Sequence, residues 1–93
     1  SDGLVVRVPI PELTEERRRE YTKLAREIAE EGKIAVRKAR QDANDKLKKL
    51  DKDGSAPEDE IANARAEIQK LTDRFGGEID EIAKAREAEI MSL

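Results

Sequence analysis

The sequence predicts an all-α fold: a long antiparallel helical hairpin that supplies two of the three helices of a three-helix bundle, after a short N-terminal extended segment. Two stretches repeat apolar residues at helical spacing, and one short turn segment separates them. The charged share of 44% solvates the remaining faces. With 93 residues and 37% apolar content, the chain allows one domain at most and excludes a large enzyme.

The extended segment comes first. Leu4, Val6 and Val8 alternate as in a strand, but no second strand follows, so we expect its sheet partners to lie outside this chain. Pro9 and Pro11 hold the preceding residues away from helical geometry and mark a boundary.

The first helix is predicted from about Glu15 to about Asp51. Thr14 is a suitable N-cap, and Glu15 and Glu16 place carboxylates in the first turn. Gly32 interrupts the helix at a cost of about 1 kcal/mol relative to alanine, which a long helix tolerates. Its apolar stripe consists of Tyr21, Leu24, Ile28, Ala35, Ala39, Ala43 and Leu50.

The second helix follows the turn at residues 51–55. Gly54 suits a left-handed helix terminus, and Ser55 with Glu58 has capping-box spacing, with Pro57 in the first turn. Gly76-Gly77 lies inside the pattern; we expect one bent helix, with two shorter helices at about 57–75 and 78–91 as the alternative. Its apolar stripe consists of Ile61, Ala64, Ile68, Leu71, Phe75, Ile82 and Ile90.

Two such helices leave much of each apolar stripe exposed, so the sequence calls for a third helix in the groove between them. We expect this partner helix to come from an absent part of the same polypeptide, from another copy or from a different protein.

Charge divides unevenly between the helices. Residues 33–49 hold seven basic and two acidic side chains, whereas residues 58–93 hold five basic and ten acidic ones. Five cations of the first helix share one face, predicted to point outward and opposite the apolar stripe: Arg19, Arg26, Lys33, Arg37 and Arg40. Such a row suits an RNA phosphate backbone, although a merely solvated helix face has the same pattern.

Several kinds of chemistry lack their residues. The sequence has no histidine and no cysteine, and Tyr21 and Phe75 are the only aromatic residues, too few for a base-stacking surface. A calcium-loop spacing at Asp51, Asp53 and Glu60 fails because Lys49 holds the position of the first ligand. We therefore expect no metal, no cofactor, no catalytic residues and no membrane-spanning segment.

Six ordered blocks cover nearly the whole sequence: VRVPIP at 6–11, LTEERR at 13–18, AEEGKIAVR at 29–37, DANDKLKKL at 42–50, EIQKLTD at 67–73 and EIM at 89–91. Together they closely resemble the ribosome recycling factor family. In that family, a three-helix bundle carries a small β-rich domain inserted between its first and second helices.

The resemblance implies that this chain is the second half of such a factor. Residues 1–13 correspond to the last strand of the inserted domain and a hinge at Pro9, Pro11 and Glu12, and residues 14–93 to bundle helices two and three. The missing helix is then the first bundle helix.

The resemblance also implies a non-enzymatic role. With elongation factor G, the factor splits the post-termination ribosome into subunits, in the bacterial cytoplasm or in a eukaryotic organelle. By motif, Arg37 and Arg40 occupy the positions that contact large-subunit rRNA. The sequence departs from the family at Glu12, at Gln41, where a further arginine is common, and at Gly76-Gly77. A helical-hairpin or coiled-coil interaction module without RNA binding remains the alternative.

Overall fold

The computed structural model describes residues 14–93, which form two long helices, α1 (Glu15–Lys52) and α2 (Glu58–Ser92). The predicted strand at 4–8 and the predicted hinge at Pro9, Pro11 and Glu12 lie outside the described residues. The helices pack antiparallel, since Arg18 near the start of α1 donates to the carbonyl of Leu93. The prediction of an all-α helical hairpin is confirmed.

The start of α1 follows the predicted local chemistry. The Thr14 hydroxyl accepts a hydrogen bond from the backbone N–H of Arg17 at 3.1 Å, and Glu15 and Glu16 occupy the first turn. The side-chain oxygen thus satisfies one N–H that the helix itself leaves without a partner. At 1.5 Å per residue, the 38 residues of α1 make a rod of about 57 Å.

The turn between the helices depends on Gly54, whose φ of 66° lies in the left-handed region. Its N–H donates to the Asp51 carbonyl, and the Ser55 N–H donates to the Leu50 carbonyl at 3.0 Å. This paired arrangement is the Schellman motif, which satisfies carbonyls at the end of a helix.

The predicted capping box at Ser55 and Glu58 is wrong. Pro57 is the N-cap of α2 and makes no side-chain capping bond, so it lies before the first turn rather than in it. The extended backbone of Pro57, with ψ of 145°, leaves Ser55 two residues too early to cap. The helix α2 itself is continuous through Gly76-Gly77, so the alternative of two shorter helices is also wrong.

The seam between the helices is built mainly from small residues. On α1, half-buried positions recur at coiled-coil spacing: Arg18, Thr22, Ala25, Ala29, Gly32, Val36, Ala43 and Leu47. Lys33, Arg40 and Asn44 are half-buried as well. Because Gly32 has no side chain, a Cβ atom there would come within 3.3 Å of Ile79 Cδ1 on α2. Close approach at glycine and alanine brings the two backbones together.

Within residues 14–93, Ile61 is the only fully buried hydrophobic residue, at 5% exposure. The largest apolar side chains of the predicted stripe flank the seam instead, and Leu24 and Ile28 remain 50% and 59% exposed. Two helices therefore leave the core of this domain incomplete.

Candidate nucleic-acid interface

Five cations of α1 define one long edge of the hairpin, here called the cation edge: Arg19, Arg26, Lys33, Arg37 and Arg40. At about 100° per residue, they lie within about 60° of one another around the helix axis. They flank the seam on the side away from Leu24 and Ile28. The continuous helix α1 thus carries these charges along roughly six of its turns and holds their spacing rigid.

Two members of the cation edge pair with acids of α2. Arg26 Nε lies 2.6 Å from Glu87 Oε1, and Lys33 Nζ forms an ion pair with Asp80 Oδ1. The hydrogen bond that Arg26 donates to Glu87, and then the negative charge of Glu87, raise the pKa of Arg26. These pairs join the two helices and neutralise part of the edge.

Two further members pair within α1. Arg19 lies 3.0 Å from Glu15 one turn earlier, and Arg37 lies 3.6 Å from Glu30, with both side chains more than half exposed. Exposed pairs of this kind contribute about 0–1 kcal/mol and exchange readily for another anion. Arg40 makes no ion pair with any of residues 14–93.

An open cleft of about 500 Å³ lies between the helices at Arg37 and Arg40. We call it the cation cleft; its lining residues are Lys33, Val36, Arg37, Arg40, Thr72, Asp73, Gly76, Gly77 and Asp80. On the α2 side, Gly76 and Gly77 present bare backbone, and a Cβ atom at either position would meet no heavy atom of the described residues within 4 Å. The cleft therefore brings three cations to an unobstructed opening.

Exposure of the cation edge differs from the sequence prediction at two residues. Arg19, Arg26 and Arg37 point outward as predicted, whereas Lys33 and Arg40 are half-buried. The physical reason is that the seam runs close beside the edge, through Val36, so that α2 covers its inner members. The sequence did not predict the cation cleft, because its α2 wall depends on which α2 residues lie opposite Arg40.

A second, apolar groove of about 620 Å³ lies on the other side of the seam. Its walls expose large side chains, with Tyr21 at 41% and Ile28 and Ile82 at 59%. The residues that line this apolar groove are Tyr21, Leu24, Ala25, Ile28, Ala29, Gly32, Ile79, Ile82, Ala83, Arg86 and Ile90. The apolar groove shares no lining residue with the cation cleft.

Residues 14–93 bring together no group of three acidic, histidine or cysteine side chains able to hold a metal ion. Neither α1 nor α2 combines the length and apolar character needed to cross a membrane.

An open helical hairpin with a cationic edge and an unfilled apolar groove defines part of a helical-bundle domain. Residues 1–91 match the family described as ribosome recycling factor. The chain belongs to the ribosome recycling factor family.

Curated ribosome-recycling factors agree along the whole chain. Identity over all 93 residues is 52% with the protein of Bacillus pumilus, 54% with that of Shouchella clausii and 52% with that of Nitratidesulfovibrio vulgaris. In each case the match covers 100% of this chain and 50% of the relative. The chain thus spans about half the length of the curated relatives it matches.

Proposed function

We propose that this chain is the second half of a ribosome recycling factor and that the cation edge binds large-subunit rRNA. Residues 1–13 then supply a strand of the inserted domain and the hinge at Pro9, Pro11 and Glu12, and residues 14–93 supply bundle helices two and three. The factor acts without catalytic residues of its own, in the bacterial cytoplasm or in a eukaryotic organelle. Membership of the family supports a role in ribosome recycling.

One observation carries the rRNA contact: Arg37 and Arg40 line the same open cleft, and Arg40 has no ion-pair partner among residues 14–93. Planar guanidinium groups bind phosphate through paired hydrogen bonds. Arg37 gives up only a loose pair with Glu30 on binding. Lys33, Arg26 and Arg19 extend the same charge along the rod and position the RNA rather than read its sequence.

The apolar groove is the proposed seat of the first bundle helix. That helix belongs to the half of the factor that this chain does not span, and it covers the exposed side chains of Leu24, Ile28 and Ile82. Because the apolar groove and the cation cleft lie on opposite sides of the seam, the completed bundle leaves the cations free to bind RNA.

In the proposed mechanism, the factor acts as a wedge between the ribosomal subunits. The phosphate contacts anchor the rod on the large subunit, and elongation factor G, which hydrolyses GTP, displaces the anchored body and disrupts contacts between the subunits. A rigid rod of about 57 Å transmits such a displacement along its length.

The test uses a full-length chimera, in which the upstream half of the Bacillus pumilus relative precedes this chain. Binding to purified bacterial large ribosomal subunits is measured at several salt concentrations. Arg37→Ala and Arg40→Ala are each expected to weaken binding by about 1–3 kcal/mol and to lower the salt slope by about one. Unchanged circular dichroism shows that the helices persist.

The matched control is Arg74→Ala, which removes the same charge from the outer face of α2, where Arg74 pairs with Glu78. We expect it to bind within about twofold of the parent. If Arg37→Ala and Arg40→Ala also bind like the parent, the hairpin is an interaction module without this RNA contact.

A further inference from the structure

Arg40 is recessed, in contrast to Arg37. Its side chain is half-buried beside the seam, whereas the side chain of Arg37 is 54% exposed. The cation cleft places Arg40 beside the opposing surface of α2. The residues of α2 that line the cation cleft there are Thr72, Asp73, Gly76 and Gly77.

The two glycines are not explained by backbone geometry. Within residues 14–93, Gly54 alone has a positive φ, so Gly76 and Gly77 have the helical conformation that any residue adopts. Glycine is also among the least favourable residues in a helix interior. Local helix stability thus argues against both glycines.

Close packing does not explain the glycines either. Gly32 packs tightly, since its Cβ position lies 3.3 Å from Ile79, but a Cβ atom at Gly76 or Gly77 meets nothing within 4 Å in the described residues. Both glycines instead line the open cation cleft. A longer side chain at Gly77 would occupy part of the opening beside Arg40.

Charge within the cleft favours an anion at the arginines. Asp80 is already paired with Lys33, and Asp73 accepts a hydrogen bond from Gln69 on its own helix at 2.9 Å. Arg40 has no such partner among residues 14–93, and that of Arg37 lies at 3.6 Å. A phosphodiester group, which has a diffuse negative charge and several acceptor oxygens, suits two adjacent guanidinium forks.

We propose that Gly76 and Gly77 form a glycine window through which an RNA phosphate reaches Arg40. The helix α2 thus contributes to the RNA interface through the absence of side chains at Gly76 and Gly77. Gly77 is a positioning residue for Arg40. The inference rests on the proposed rRNA contact of the cation edge and adds a second wall to it.

The test closes the glycine window with Gly77→Gln in the full-length chimera and measures binding to purified bacterial large subunits. Glutamine favours the helix, so the melting temperature is expected to rise while the affinity falls by about tenfold, as for one lost charge-assisted contact. The matched control is Ala85→Gln, the same side chain at an exposed position of α2 outside the lining of the cation cleft. It is expected to bind like the parent.

A double-mutant cycle distinguishes a loss of affinity that depends on Arg40 from a general effect of the glutamine on binding. If Gly77 acts through Arg40, Gly77→Gln causes no further loss in a chimera that already carries Arg40→Ala. The inference is overturned if Gly77→Gln binds like the parent while Arg40→Ala is weakened, or if its loss is the same in both backgrounds. If neither Arg40→Ala nor Gly77→Gln changes the affinity, the Arg40 contact of the proposed function fails together with the window.

Discussion

Alanine substitution at the four described glycines should give three different results, because Gly76 and Gly77 share one environment whereas Gly32 and Gly54 each have another. At Gly76 and Gly77 the backbone is helical and the Cβ position is open, so each alanine should stabilise the protein by about 1 kcal/mol. At Gly54, where φ is 66°, alanine should destabilise it by about 1–2 kcal/mol.

For Gly32→Ala we expect an intermediate change in the free energy of unfolding. The helix gains about 1 kcal/mol, but the new methyl group lies 3.3 Å from Ile79 Cδ1 and crowds the seam. The contact involves the end of a flexible side chain, so Ile79 yields by a few tenths of an ångström. We expect the two effects nearly to cancel, leaving a net change below about 0.5 kcal/mol.

Thermal unfolding of the full-length chimera, followed by circular dichroism, measures the series. For a chain about twice as long as this one, 1 kcal/mol shifts the melting temperature by about 2–4 °C. The Gly76→Ala, Gly77→Ala double variant should therefore melt about 4–8 °C higher, and Gly54→Ala lower. A double variant that melts below the parent would refute the open, helical environment assigned to both glycines.

Two other predictions concern the apolar groove and pH. Ile28→Asp should destabilise the chimera by about 2 kcal/mol or more, because the proposed first helix buries this side chain. Ile34 is similarly exposed but lies on the outer face of α1, so Ile34→Asp should change the melting temperature little. Similar losses in both variants would argue against the apolar groove as the binding site of the first helix. The coupling between Arg26 and Glu87, measured by a double-mutant cycle, should be constant between pH 6 and 9. Glu87 raises the pKa of Arg26, so Arg26 stays charged throughout this interval, and its stabilisation is lost only as the pH rises through that raised pKa, far above neutrality. A step in the coupling between pH 6 and 9 would contradict the assignment.

Both ends of α1 could be predicted because their signals are local. Thr14 followed by acidic residues specifies a helix start, and Gly54 supplies the left-handed residue that ends α1. The start of α2 could not, because Ser55 and Glu58 have the spacing of a capping box but an extended Pro57 intervenes. Spacing alone does not report the backbone conformation on which capping depends.

The positions that form the seam were harder to predict for a different reason. Periodicity identifies which residues share a face, and the largest apolar residues suggested the contact face. The structure places small residues such as Ala25 and Ala29 in the seam, and Leu24 and Ile28 beside it. The cation cleft followed neither from charge nor from spacing, since it requires the register that places Gly76 and Gly77 beside Arg40.

The small residues of the seam also separate the two functions proposed for this chain. With the seam as the dividing line, the apolar side chains around Ile28 lie on one side and Arg37 and Arg40 on the other. Had the cations lain beside the apolar groove, a docking helix would have buried them at a cost of several kcal/mol per unpaired charge. Their separation means that completing the bundle costs no charge desolvation at the RNA surface. It follows that substitutions in the apolar groove and in the cation cleft should have additive effects on ribosome affinity, whereas those at Gly77 and Arg40 should not.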